Sequence, residues 1–124
     1  MVAMVPNLLN THWLQSVTAG DQALKAQLLQ LYMEDMAIKL NLLQDALRQQ
    51  DWIALKSTAH SLKGSSSSIG AETIQALCFD LEQASQLQDP VRAKQGINEL
   101  IHTSQSFWEI AHPFVSEMKI HQEN

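Results

Sequence analysis

A second cysteine is missing from this 124-residue chain: Cys78 stands alone. No internal disulfide can form, and a reducing cytoplasm is the natural compartment. Basic clusters are missing too. Eight Lys and Arg against thirteen Asp and Glu leave a formal net charge of −5, with no block of either basic residue. Binding to a nucleic-acid backbone is therefore not expected. No stretch approaches the roughly 20 apolar residues that cross a bilayer. The opening "MVAMVPNLLNTHW" lacks the basic flank and apolar run of a signal peptide. Three prolines and four glycines are few breakers for this length, and no strand-like alternation or internal repeat occurs. What is present is 45% hydrophobic residues, with Leu, Ala and Gln abundant. That composition predicts an all-α cytoplasmic protein, one domain over residues 1–124 with a single modest core.

Five helical segments can be read. A short one covers about Leu8 to Val17, with Leu9, Trp13 and Leu14 as candidates for one face. Asp21 caps a second, running from Gln22 to about Gln50, in which Leu24, Leu28, Leu31, Ile38, Leu42 and Ala46 recur at helical spacing. Asp51 caps a third from Trp52, which Gly70 ends. A fourth, about Ala71 to Leu87, directs Ile74, Leu77, Cys78, Leu81 and Ala84 inward. Asp89-Pro90 starts the fifth, whose stripe is Ile97, Leu100, Ile101, Ser104, Trp108, Ala111, Val115 and Met118. Pro113 is expected to kink that helix or end it early. Long amphipathic helices joined by short connections imply an up-and-down antiparallel four-helix bundle with a short extra N-terminal helix.

Four consecutive serines, Ser65 to Ser68, resemble a linker, but a helical wheel places them inside the third helix. Leu55, Ala59, Leu62, Ser66 and Ile69 share its inner face. His60 lies about 180° from Ile69 and points to solvent. Ile53, Lys56, Ser57, Lys63, Gly64 and Ser67 surround it. An exposed neutral imidazole is an available nucleophile. Lys56 and Lys63, one turn to either side, can reach an anion placed on it. Gly64 costs a helix about 1 kcal/mol against alanine. That cost is reasonable if another surface must come close to the histidine. Taken alone, His60 reads more readily as an ordinary surface histidine among lysines on a solvated face, with Gly64 incidental.

The stretch "HSLKGSSSSIGAETIQALCFDLE", residues 60 to 82, carries more than a histidine. It resembles the signature of histidine-containing phosphotransfer (HPt) domains, the relay modules of multistep phosphorelays. The likeness is dense over about residues 51 to 86 and elsewhere is one of helical pattern. It implies that His60 exchanges a phosphoryl group with the aspartate of a response-regulator receiver domain, with a hybrid sensor histidine kinase upstream. By the same resemblance Lys63 and Gly64 are its familiar neighbours, and Gly64, Ser67 and Ile53, which the wheel places around His60, are the expected close-approach surface. Mg²⁺ is supplied by the receiver, and this chain needs no cofactor of its own. A monomer without autonomous kinase activity is implied. The rival reading is a helical adaptor that binds such a partner through the same face without transferring anything.

Helix geometry adds Glu82. His60 lies ten residues before the Gly70-Ala71 turn and Glu82 about eleven after it, so the two sit at similar heights in a hairpin. A carboxylate there can accept the Nδ1 proton and leave Nε2 free to attack. HPt domains often carry Gln or Glu at the matching position. The alternative is an exposed glutamate on a helix surface.

Other patterns carry less. Glu99–His102 and Glu109–His112 have the Glu-x-x-His spacing of di-metal bundles, but both lie on one helix, roughly 15 Å apart, and cannot converge on a metal. Trp13, Trp52 and Trp108 read as core or helix-junction anchors, and Cys78 as a small apolar core residue. No glycine-rich phosphate loop occurs. Ser61 follows His60 where sensor-kinase dimerisation helices carry an acidic residue.

Overall fold

The computed structural model describes residues 8–123, with side-chain surroundings through residue 116. Its helices are α1 (Thr11–Val17), α2 (Gln22–Arg48), α3 (Trp52–Ile69), α4 (Glu72–Gln86) and α5 (Pro90–Glu123). Asp21, Asp51 and Asp89 each accept a hydrogen bond from the backbone N–H three residues on, at 3.0, 3.0 and 3.1 Å. These caps fix where three of the long helices begin. Each of α2 to α5 packs against two of the others, in the ring order α2, α3, α4, α5. The result is an up-and-down four-helix bundle with α1 as the extra N-terminal helix.

That short helix clamps the α3–α4 turn. Gly70 sits at φ +82°, the left-handed conformation that glycine accepts without strain. Its carbonyl accepts from the Asn10 N–H at 2.8 Å, and the Trp13 indole N–H donates to the Ser68 carbonyl at 3.2 Å. A side chain at 70 would also meet the indole, 2.9 Å from where its Cβ must lie. Trp13 is thus a junction anchor, and Trp52 is partly buried against the core.

The serine run is helical, as the wheel requires. Leu55, Ala59, Leu62, Ser66 and Ile69 are all buried. Inside the bundle the Tyr32 and Ser66 hydroxyls share a 2.6 Å hydrogen bond, and burial pushes the Tyr32 phenol above its usual pKa. The Tyr32 ring also meets Phe107 edge-on, with centroids 5.2 Å apart.

On α2 the expected stripe is wrong. Only Ala46 of it is buried and Leu28 partly so, while Leu24, Leu31, Ile38 and Leu42 are exposed. The core takes Ala26, Leu29, Tyr32, Met33, Met36 and Leu43. Both sets have helical spacing and both are apolar, so periodicity cannot choose between them. Tyr32 chooses, because its ring reaches Phe107 and its hydroxyl needs Ser66.

Two expectations for α5 also change. Trp108 is 49% exposed and the adjacent Phe107 is fully buried. The phenyl ring has no polar atom to satisfy and takes the inner place, whereas the indole can keep its N–H in water. Nor does Pro113 end the helix, which continues to Glu123. Pro113 and Glu109 are both exposed, so the carbonyl that proline leaves without a donor faces solvent. Met118 lies outside the side chains described.

The buried hydroxyl pair makes an asymmetric prediction. Ser66→Ala strands a buried phenol and should cost about 1–3 kcal/mol. Tyr32→Phe should cost less, because a lone Ser66 can turn to its own helix carbonyls as Ser65 and Ser68 do. Chemical denaturation of the two variants measures the order.

Candidate functional site

His60 stands on the outer face of α3 with 70% of its side chain exposed. Its Nδ1 lies 3.4 Å from Oε2 of Glu82 on α4. The hairpin heights read from sequence therefore hold, but Glu82 is no surface glutamate: its side chain is only 10% exposed. Lys63 Nζ stands 2.7 Å from Oε1 of the same carboxylate. That contact is a close ion pair between an ammonium and a carboxylate shielded from solvent. Lys63 also lies over the Phe79 ring, 5.5 Å from its centroid. A histidine, a lysine and an aromatic ring thus converge on one carboxylate.

The electrostatics follow from that convergence. Desolvation pushes the Glu82 carboxyl upward, but the contacts with Lys63 and then His60 outweigh it, and its pKa lies below the ordinary value. An ionised carboxylate only accepts hydrogen bonds, so Nδ1 of a neutral His60 is the donor and Nε2 is left bare toward solvent. Behind the carboxylate, burial and then the Glu82 charge push the Cys78 thiol up to about 12. It is inert there, as a small core residue should be.

The remaining sequence candidates fall around this centre. Lys56 donates to Gln86 Oε1 on α4, one turn beyond Glu82. Gly64 is exposed, and nothing lies within 4 Å of the position a Cβ would take, so no neighbour within the described residues demands glycine there. Ser67 is exposed, and Ile53 is 85% exposed. The structure brings all seven candidates onto one face of the α3–α4 hairpin.

Sequence reading missed part of the surroundings. The Tyr32–Ser66 bond sets the register of α2 against α3. Ile38 is six residues after Tyr32 and His60 six before Ser66, so in an antiparallel pair they lie at the same level. Met33, Met36, Ala37 and Leu40 line a groove with Trp108 on the α5 flank of α2. Leu31, Ile38 and Leu42 are exposed, and by helical spacing they lie away from that groove. Phe79 and Gln86 were missed as well, although their spacing of −3 and +4 from Glu82 puts them on its face of α4.

A family model described as the Hpt domain matches residues 27–107, which include the whole hairpin face. The chain belongs to the Hpt domain family. Among solved structures it is similar to the histidine-containing phosphotransfer protein B of Pseudomonas aeruginosa. That likeness has 26% identity and a TM-score of 0.84, covering 92% of this chain and 98% of that one. It is similar also to the Hpt domain of a sensor hybrid histidine kinase from Shewanella, at 26% identity and a TM-score of 0.74, over 90% and 96% of the two chains. A rice protein described as a putative histidine-containing phosphotransfer protein, 18% identical with a TM-score of 0.76 over 94% and 83%, shares the fold. No curated protein matches. As an Hpt domain the chain is a histidine-phosphotransfer carrier of a phosphorelay, a class that partners with receiver domains and hybrid kinases of two-component systems. Among the described residues no helix is long and apolar enough to cross a membrane.

The depressed Glu82 carboxyl carries a stability consequence. Its contribution is complete above the ordinary glutamate value of 4.5 and is lost as pH falls through the lower folded value. Wild type should therefore exceed Glu82→Gln by about 1 kcal/mol near neutrality, the scale of a partly screened ion pair. The gap should close in acid. Denaturation of both proteins across that range tests the sign.

Proposed function

We propose that His60 accepts a phosphoryl group from the aspartate of a receiver domain and returns it to another. The carrying observation is the exposed imidazole whose Nδ1 is held by Glu82 while Nε2 stays open. The Nε2 lone pair attacks the aspartyl phosphate. An N–P bond forms as the P–O bond breaks, and the electron pair leaves on the aspartate carboxylate. The Nδ1 proton stays on the ring. Such a reaction depends on alignment and charge stabilisation more than on proton transfer. Glu82 orients the ring, and Lys63, helped by Lys56, offsets the phosphoryl charge. The receiver supplies Mg²⁺.

The receiver rests on Gly64, Ser67 and Ile53, with the exposed Ile38 and Leu31 of α2 extending the contact. Nothing at Gly64 blocks a close approach to the helix backbone. The 124 residues act as one unit, a cytoplasmic monomer without kinase activity of its own, and the upstream donor is a hybrid sensor kinase. Acidic balance and the absence of any basic block argue against nucleic acid as a partner.

Incubation with a phosphorylated receiver tests the reading. Wild type should gain an acid-labile, base-stable phosphate, and His60→Gln should gain none while unfolding within about 0.5 kcal/mol of wild type. A protein that binds the receiver and takes no label is an adaptor instead.

Gly64→Gln separates approach from folding. Glutamine has the better helix propensity, by a margin under about 1 kcal/mol, and the site offers it open space. Stability should hold or rise while transfer slows. An unchanged rate would remove Gly64 from the contact surface.

A further inference from the structure

The lysine that should meet the phosphoryl group is already engaged. In the unphosphorylated protein Lys63 Nζ is 2.7 Å from Glu82, while His60 Nδ1 makes the longer contact of 3.4 Å to the same carboxylate. Oε1 is buried, with the Lys63 ammonium directly against it. A flexible ammonium held by one carboxylate can be drawn away by a group of greater negative charge. Lys63 follows His60 by three residues, so its flexible stem reaches the ring as readily as it reaches α4. In its resting position the ammonium also lies over the Phe79 ring, 5.5 Å from its centroid.

The geometry points to an ion-pair exchange: on phosphorylation of His60, Lys63 leaves Glu82 for the phosphoryl oxygens, and Glu82 closes on the Nδ1–H of the modified ring. The chemistry supports both halves. Phosphorylation at Nε2 with the proton retained on Nδ1 makes the ring cationic, a stronger donor to the carboxylate than the neutral imidazole. The phosphoryl group brings two negative charges or nearly so, and outbids a single carboxylate for the ammonium. Glu82 therefore always has a cation: Lys63 at rest, the phosphorylated ring afterwards. It is a positioning residue that also keeps Lys63 beside His60 until the phosphoryl arrives. The inference rests on His60 as the phosphoryl acceptor.

A double-mutant cycle over Lys63→Met and Glu82→Gln, read as denaturation midpoints, tests the exchange. It is run on the protein as purified and again after phosphorylation by phosphoramidate, at mildly alkaline pH where phosphohistidine persists. The 63–82 coupling should be present in the first cycle and fall by more than half in the second. A purely structural ion pair would show the same coupling in both. In the wild-type protein, NMR should show the Glu82 carboxyl carbon and the Lys63 side-chain nitrogen both shifting on phosphorylation, a readout that needs no variant to fold. Label on His60 with unchanged coupling and unmoved resonances overturns the exchange alone. Absence of label from His60 overturns the acceptor reading and the exchange with it. A loss of coupling between Lys56 and Gln86 in place of 63–82 would move the charge to Lys56 and overturn the assignment to Lys63.

Discussion

A single buried hydrogen bond, between the hydroxyls of Tyr32 and Ser66, decides how the two central helices meet. Both groups are buried, and a phenol stranded there costs roughly 1–3 kcal/mol, whereas Ser66 alone can fall back on its own helix carbonyls. Once they pair, α2 has one rotation and one height relative to α3. That rotation brings Phe107 against Tyr32, buries Met33 and Met36, and turns Leu31, Ile38 and Leu42 to solvent. The inner side of the serine run thus fixes which residues flank the histidine on its outer side.

The second constraint is the carboxylate of Glu82, shielded from solvent yet ionised. An unpaired charge at that depth would protonate or draw in water. Lys63 and His60 keep it charged, and it in turn holds both of them. Helices α3 and α4 are tied at this point by electrostatics as well as by the apolar contacts of Leu62, Ile74, Cys78 and Leu81. The site is therefore rigid on the side facing the core and bare on the side facing solvent.

How much of this was legible in the sequence depends on whether one helix or two set the answer. The inner face of α3 and most of α4 came out correctly because each shows one apolar stripe with polar residues opposite. The caps were readable for the same reason: aspartate before a helix start is a local signal. Glu82 was found because a hairpin converts sequence distance from the turn into height. The α2 stripe failed because that helix carries apolar residues on two overlapping faces, and only contact with α3 and α5 selects one. Trp108 failed for a related reason, since Phe107 and Trp108 are adjacent and either fits the period. The engagement of Lys63 by Glu82 was not visible, because it depends on how far two long side chains reach across an interhelical groove.

The outer face of α3 has one further property. Apart from His60, Ile53 and the lysines, it is built from Gly64, Ser57, Ser61, Ser67 and Ser68. Glycine and serine have few or no rotamers to lose when a second protein covers them, so the ordering entropy of forming the complex is small. Their side chains are also short, and grip a partner through few contacts. A surface of this kind associates without waiting for side chains to rearrange and lets go as readily. Under the proposed transfer from one receiver to another, a short residence time on each partner would matter more than tight binding. The serines that resemble a linker thus give this face little side-chain entropy to lose when it is covered.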